Sequence, residues 1–187
     1  TRFNPALTSM RDLIVLLTVA GASAAFVAGG YAGVLVLAGI LQATDFGDAA
    51  VRYWVGDMIG VAVVSPFALI LLTRGFFLRR SVEAAAQIAA IVAVLALVFL
   101  YAEHHHFQLF YLLFLPTIWL AVRGGLEMVT IGVLLTQIGL ILGLQLTSTN
   151  EIDVTAFQAV MLVLALTGLI AGALVTEHRR TETQLRM

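Results

Sequence analysis

Val82-Glu-Ala-Ala-Ala-Gln-Ile-Ala-Ala-Ile-Val-Ala-Val-Leu-Ala-Leu-Val-Phe-Leu-Tyr-Ala102 is the stretch that decides the fold. About 20 mostly apolar residues in a helix cross the roughly 30 Å of hydrocarbon in a bilayer, and this run has that length. Arg79 and Arg80 precede it and Glu103 follows it. Reading outward from it, two further runs lie upstream, at 13–41 and 54–73, and three downstream, at 107–122, 126–146 and 156–176. The pattern predicts an all-α, polytopic membrane helix bundle of about six transmembrane helices. The whole chain agrees: of its 187 residues 61% are hydrophobic and only 11% charged, against about 25% charged in soluble domains. That composition excludes a soluble globular domain, a disordered chain and a nucleic-acid binder. With no Cys there is no disulfide framework, thiol nucleophile, iron–sulfur cluster or thiolate zinc site. The first residue is Thr1, which points to a processed chain or a fragment, and no signal peptide opens it.

The arginines set the expected orientation. Arg2 and Arg11 precede the first run, Arg74, Arg79 and Arg80 separate the second from the third, Arg123 separates the fourth from the fifth, and Arg179, Arg180 and Arg186 follow the sixth. Six alternating spans place these nine on one side and Arg52 alone on the other, with Asp45, Asp48, Glu103, Glu151 and Asp153. Basic residues near span ends stay on the cytoplasmic side, so both termini are expected there.

The first run is too long: about 29 residues reach roughly 43 Å. It either tilts or breaks near Gly29 and Gly30. Glycine pairs four residues apart recur at Gly29/Gly33, Gly56/Gly60, Gly139/Gly143 and Gly168/Gly172, and such pairs let helix backbones approach closely. From Ala173 to Met187 there is no Gly or Pro, so the last helix is expected to continue past Glu177 into the cytoplasm. The domain division that follows is a membrane domain over 1–176 and the start of a cytoplasmic signalling helix over 177–187.

Asp57 is the one acidic residue well inside a span. An intramembrane carboxylate is costly and marks a functional site by default. It is expected to face the bundle interior with a polar or cationic partner, either as a ligand or proton site or as a brace between helices. Glu103-His104-His105-His106 forms a second polar knot. Adjacent histidines on a turn diverge, so His104 and His106 are at best weak metal candidates beside a plain solvated turn. Pro66 and Pro116 each free a backbone carbonyl within a span, as hinges or as static kinks. Trp119 and Arg123 form the aromatic and cationic anchor of the fourth span. No Gly-x-Ser-x-Gly, phosphate-binding loop or His-Glu-x-x-His is present, so this chain is not expected to be an enzyme, and no cofactor is expected.

Tyr53-Trp-Val-Gly-Asp-Met-Ile-Gly-Val-Ala-Val-Val-Ser-Pro66 resembles the most recognisable segment of the bacterial integral-membrane sensor domains called MASE1. Trp54, Gly56, Asp57, Gly60 and Pro66 carry the match. Phe114-Leu-Pro-Thr-Ile-Trp-Leu-Ala-Val-Arg-Gly-Gly125 resembles a later family segment, with one extra residue between Phe114 and Pro116. The segment from Arg2 to Asp12 resembles the approach to a middle span, and the sixth span with Glu177-His-Arg-Arg180 resembles the family's last span and exit. The resemblance covers essentially the whole chain. It implies about eight spans where this chain shows six, so an N-terminal portion is expected ahead of Thr1. The histidine run has no counterpart in the resemblance.

What the resemblance implies is a sensory input domain of a bacterial inner-membrane signalling protein. It would couple an unknown stimulus to a histidine kinase or diguanylate cyclase through the last helix. Trp54, Gly56, Asp57 and Gly60 are then the candidate sensing residues, with Trp119 and Arg123 at the inner end. The expected partners are the lipid bilayer, a second copy in a homodimer, a membrane partner protein and an unidentified small-molecule ligand. Two other readings stand beside it: a substrate-binding membrane subunit of a small-molecule uptake system, and a structural anchor that dimerises an output enzyme.

Overall fold

The computed structural model of the chain describes residues 3–7, 9–74, 82–100, 108–147 and 154–185. Their regular elements are helical: α1 (Met10–Leu37), α2 (Phe46–Arg74), α3 (Val82–Leu100), α4 (Phe114–Thr147) and α5 (Val154–Leu185), with short 3-10 stretches at Ala43–Asp45 and Gln108–Leu113. Among the described residues, five helices are long and apolar enough to cross a membrane.

Helix α1 runs unbroken through Gly29 and Gly30, so the predicted alternative of a break there does not occur. Its start is a local solution to unpaired backbone N–H groups. Ser9 is the N-cap: its hydroxyl accepts from the Asp12 N–H and donates to the Asp12 carboxylate at 2.8 Å. Asp12 also accepts from the N–H of Asn4, which holds the approaching segment across the end of the bundle. That segment turns at Asn4 and seats Leu7, at φ +47°, in the core with 1% exposure. At its other end α1 stops at Gly39, φ +71°. There the N–H groups of Gly39 and Ile40 return to the carbonyls of Val36 and Leu35, the two bonds of a glycine-terminated helix. Ala20, Ala24, Ala28 and Ala32 form the buried face of α1, and small side chains at this spacing let α2 pack closely.

Helix α2 begins at Phe46, eight residues before the expected start at 54. Asp48 in its first turn favours that start by its charge at the positive helix end. Helix α4 joins two predicted spans. Gly125, at φ 64° and ψ −156°, interrupts the helical backbone, and the chain folds back there. The reversal is visible in packing: a Cβ on Gly132 would meet Leu120, and one on Gly168 would meet both Thr117 and Val133. Residues so far apart along α4 converge only if its arms, 114–124 and 126–147, run antiparallel. Pro116 lies in the first turn of α4, a position that tolerates proline, and the Thr117 hydroxyl donates to the Leu113 carbonyl at 2.8 Å.

Helix α5 packs most extensively along α4; α3 lies against α4 and α1 pairs with α2. The glycine pairs of the last two predicted spans serve these contacts. Gly139 and Gly143 receive Leu95 and Phe99 of α3. A Cβ on Gly172 would stand 2.6 Å from Val129 Cγ1 and 3.1 Å from the Leu126 backbone. Gly168 and Gly172 are thus used within the chain. Gly29, Gly33 and Gly60 have no atom within 4 Å of a would-be Cβ.

Candidate functional site

The Trp54 segment forms a joint between three helices. The Trp54 indole N–H donates to the Gly21 carbonyl of α1 at 2.9 Å. Val55, Met58 and Ala62 of α2 turn into the core, and the Met58 sulfur lies 3.8 Å from where a Gly21 Cβ would be. Gly56 faces α5, with the Gln158 amide nitrogen 3.7 Å from its would-be Cβ. The ring of Tyr53 meets Tyr31 edge to face at 4.4 Å. Two buried amide oxygens in this region, Gln158 Oε1 and Gln137 Oε1, make no hydrogen bond among the described residues. Gln137 still anchors α4 to α5 by donating to the Met161 carbonyl at 2.8 Å. Nothing in this joint pairs a nucleophile with a base. It is a packing joint held by polar pins.

The same helix turns Asp57 away. Residues along a helix are separated by about 100°. With Val55 and Met58 buried, Asp57 and Gly60 fall on the exposed face of α2, with Val64 further along. The expectation that Asp57 faces the bundle interior is therefore corrected. Among the described residues it makes no hydrogen bond or ion pair. Because α2 starts at Phe46, Asp57 also lies about three turns into the helix rather than one. The motif divides in two: Trp54 and Gly56 pin α2 to its neighbours, and Asp57 and Gly60 face outward.

Trp119 and Arg123 lie at the opposite end, near the reversal of α4. Trp119 is 39% exposed. Arg123 Nε bonds the Glu83 carboxylate of α3 at 3.1 Å. Both side chains are largely solvated, so this ion pair contributes at most about 1 kcal/mol. Trp54, through Gly21, meets α1 eleven residues beyond Met10, some 16 Å along the axis. The two groups of candidates do not form one site.

What sequence reasoning missed lies at this second end. Where α5 leaves the bundle, the Glu177 carboxylate accepts from the Met10 N–H at 2.9 Å. The Thr176 hydroxyl accepts from the Leu126 N–H at 2.8 Å and donates to the Gly172 carbonyl at 2.8 Å. Arg179 donates to the carbonyls of Val122 at 2.9 Å and Arg123 at 3.2 Å. One signal for part of this was available: Ser9-Met-Arg-Asp12 has the spacing of a helix-capping box and marks the start of α1 three residues before the expected 13. Glu103 and His104–His106 lie outside the described residues. Among those described, no three His, Asp or Glu side chains gather into a metal-binding group.

No curated protein and no solved structure is detectably similar to the chain. A family model does match, over residues 1–179, and it is that of MASE1. A helical membrane bundle matched over nearly its whole length belongs to that family: the chain is a MASE1 domain, a membrane-associated, non-catalytic sensory domain of signalling proteins.

Proposed function

We propose that this domain is the sensory input of a bacterial inner-membrane receptor, and that α5 carries its output to a cytoplasmic histidine kinase or diguanylate cyclase. The observation that carries the reading is the continuity of α5. Its 32 residues from Val154 to Leu185 are unbroken, about 48 Å of helix, well beyond the 30 Å of the hydrocarbon. Packing through Gly168 and Gly172 ties its membrane part to α4, so a change in bundle packing reaches the projecting part as a rigid movement. Family membership favours this over the uptake-subunit reading.

The topology proposed with it has six crossings and both termini cytoplasmic. The first arm of α4 with the preceding 3-10 stretch extends about 28 Å, enough for a crossing of its own, and the arginine distribution supports the orientation. Residues 1–176 are then the sensor, and 177–187 begin the signalling helix of a homodimer. The stimulus, a small molecule or a membrane partner protein, acts at the Trp54–Gly60 segment, where the Asp57 carboxylate faces outward. A charge left in lipid costs about 2.5–3.5 kcal/mol on insertion scales, so a stimulus that covers it has free energy with which to favour one packing. Trp119 and Arg123 mark the inner end of the path.

The test is to insert one to four residues after Glu182 in the full-length receptor. Each residue rotates the downstream helix by about 100°, and output should follow the phase of the insertion. Output independent of insertion length would reduce α5 to a tether and remove the reading.

A further inference from the structure

We propose that the turn Thr176–Arg179 is a two-sided latch that sets the stance of α5 as it leaves the bundle. The inference rests on the reading of α5 as the output element and adds how its position is fixed.

Three side chains of this one turn end on three different helix termini, each with matching polarity. A helix N-terminus carries unpaired N–H groups and partial positive charge, and a C-terminus carries unpaired carbonyls and partial negative charge. The Glu177 carboxylate takes the Met10 N–H, the first of α1. The Thr176 hydroxyl takes the Leu126 N–H, which opens the second arm of α4. The Arg179 guanidinium takes the Val122 and Arg123 carbonyls, which close the first arm.

Helical geometry separates these bonds into two sides. Residues 176 and 179 lie about 60° apart around the axis, toward the α4 reversal, whereas 177 is about 100° or more from either and reaches α1. The α1–α5 contact is otherwise slight beside the α4–α5 contact. Glu177 thus links the first N–H of α1 to α5, and Thr176 and Arg179 hold α5 to the hairpin. A shift of α1 against α4 pulls the two sides of the latch apart and rotates or tilts the exit helix.

The chain has no Cys, so pairs of introduced cysteines can carry spin labels without background. One pair, on exposed Val19 and Glu182, reports α1 against α5. The other, on exposed Leu115 and Glu182, reports the hairpin against α5. In lipid nanodiscs, Glu177→Ala should shift or broaden the first distance by about 1–2 Å, the scale of helix movements at interfaces, and leave the second unchanged. Thr176→Val combined with Arg179→Ala should do the reverse. Glu177→Gln keeps an acceptor for the Met10 N–H and should stay closer to the parent than Glu177→Ala. The latch is refuted if both distances survive both variants, or if Glu177→Ala moves the two pairs equally. If the distances respond as expected and output from the full-length receptor ignores Glu177→Ala, the latch stands and the assignment of α5 as the output element fails.

Discussion

Replacing Gly125 by alanine attacks the α4 reversal in two ways whose magnitudes separate. At φ 64° and ψ −156° the backbone occupies a region that is essentially glycine-only, and a side chain there costs about 1–3 kcal/mol. The new methyl would also stand 2.6 Å from the Thr176 hydroxyl oxygen, which accepts from the Leu126 N–H. Displacing that hydroxyl strands a partly buried donor, at a further cost of about 1–3 kcal/mol. The expected loss is about 2–6 kcal/mol, read as reversible unfolding in mixed micelles followed by helical circular dichroism. Thr176→Ala removes both obstruction and acceptor, so on that background Gly125→Ala should cost only the backbone part, about 1–3 kcal/mol. Gly30→Ala is the control: its Cβ meets nothing within 4 Å, and alanine is the better helix former by about 1 kcal/mol. The reasoning fails if Gly125→Ala lies within about 0.5 kcal/mol of the parent, the range of ordinary surface substitutions. An equal cost on both backgrounds would dismiss the part assigned to Thr176.

Trp54→Phe keeps an aromatic ring and loses the bond to the Gly21 carbonyl. It should destabilise the domain by about 0.6 kcal/mol, the average for hydrogen bonds between membrane helices, in the same unfolding assay; a loss above about 3 kcal/mol would mean that the ring, not the bond, carries the joint. Asp57→Asn removes a charge that faces outward, so the domain should be at least as stable as the parent in the same assay, while stimulus-dependent output in the full-length receptor is abolished; a normal response would remove Asp57 from the sensing role.

The parts of this fold that were legible in the sequence are those controlled by the bilayer. The apolar runs gave the helices, and the unbroken tail beyond Ala173 gave the continuity of α5. Start points were read late wherever polar residues belong to a helix: Met10 to Asp12 look like a loop by hydropathy, and so do Phe46 to Tyr53, yet both are helical because a cap or a helix dipole suits their side chains. The placement of Asp57 was misread for a different reason. The cost of a charge in lipid argues for burial, but the neighbours at 55 and 58 are apolar and claim the interior, and a helix cannot turn both faces inward. The exit contacts were illegible because they are long-range: no periodicity joins Glu177 to a backbone N–H at residue 10. The reversal at Gly124-Gly125 was placed between two spans, but only the backbone angle shows which glycine makes the turn.

The bond between Met10 and Glu177 spans 167 residues of chain, and this bears on how the domain is made. Translation at about 5–20 residues per second leaves the amino end of α1 waiting some 10–30 s for its carboxylate. In that interval α1 and α2 can pair through their alanine face, and α3 can only stand by for glycines of α4 that are still to be synthesised. The base of the bundle closes when the last helix arrives. A chain cut short before Glu177 would insert most of its helices and still lack the hydrogen bond that ties the start of α1 to α5.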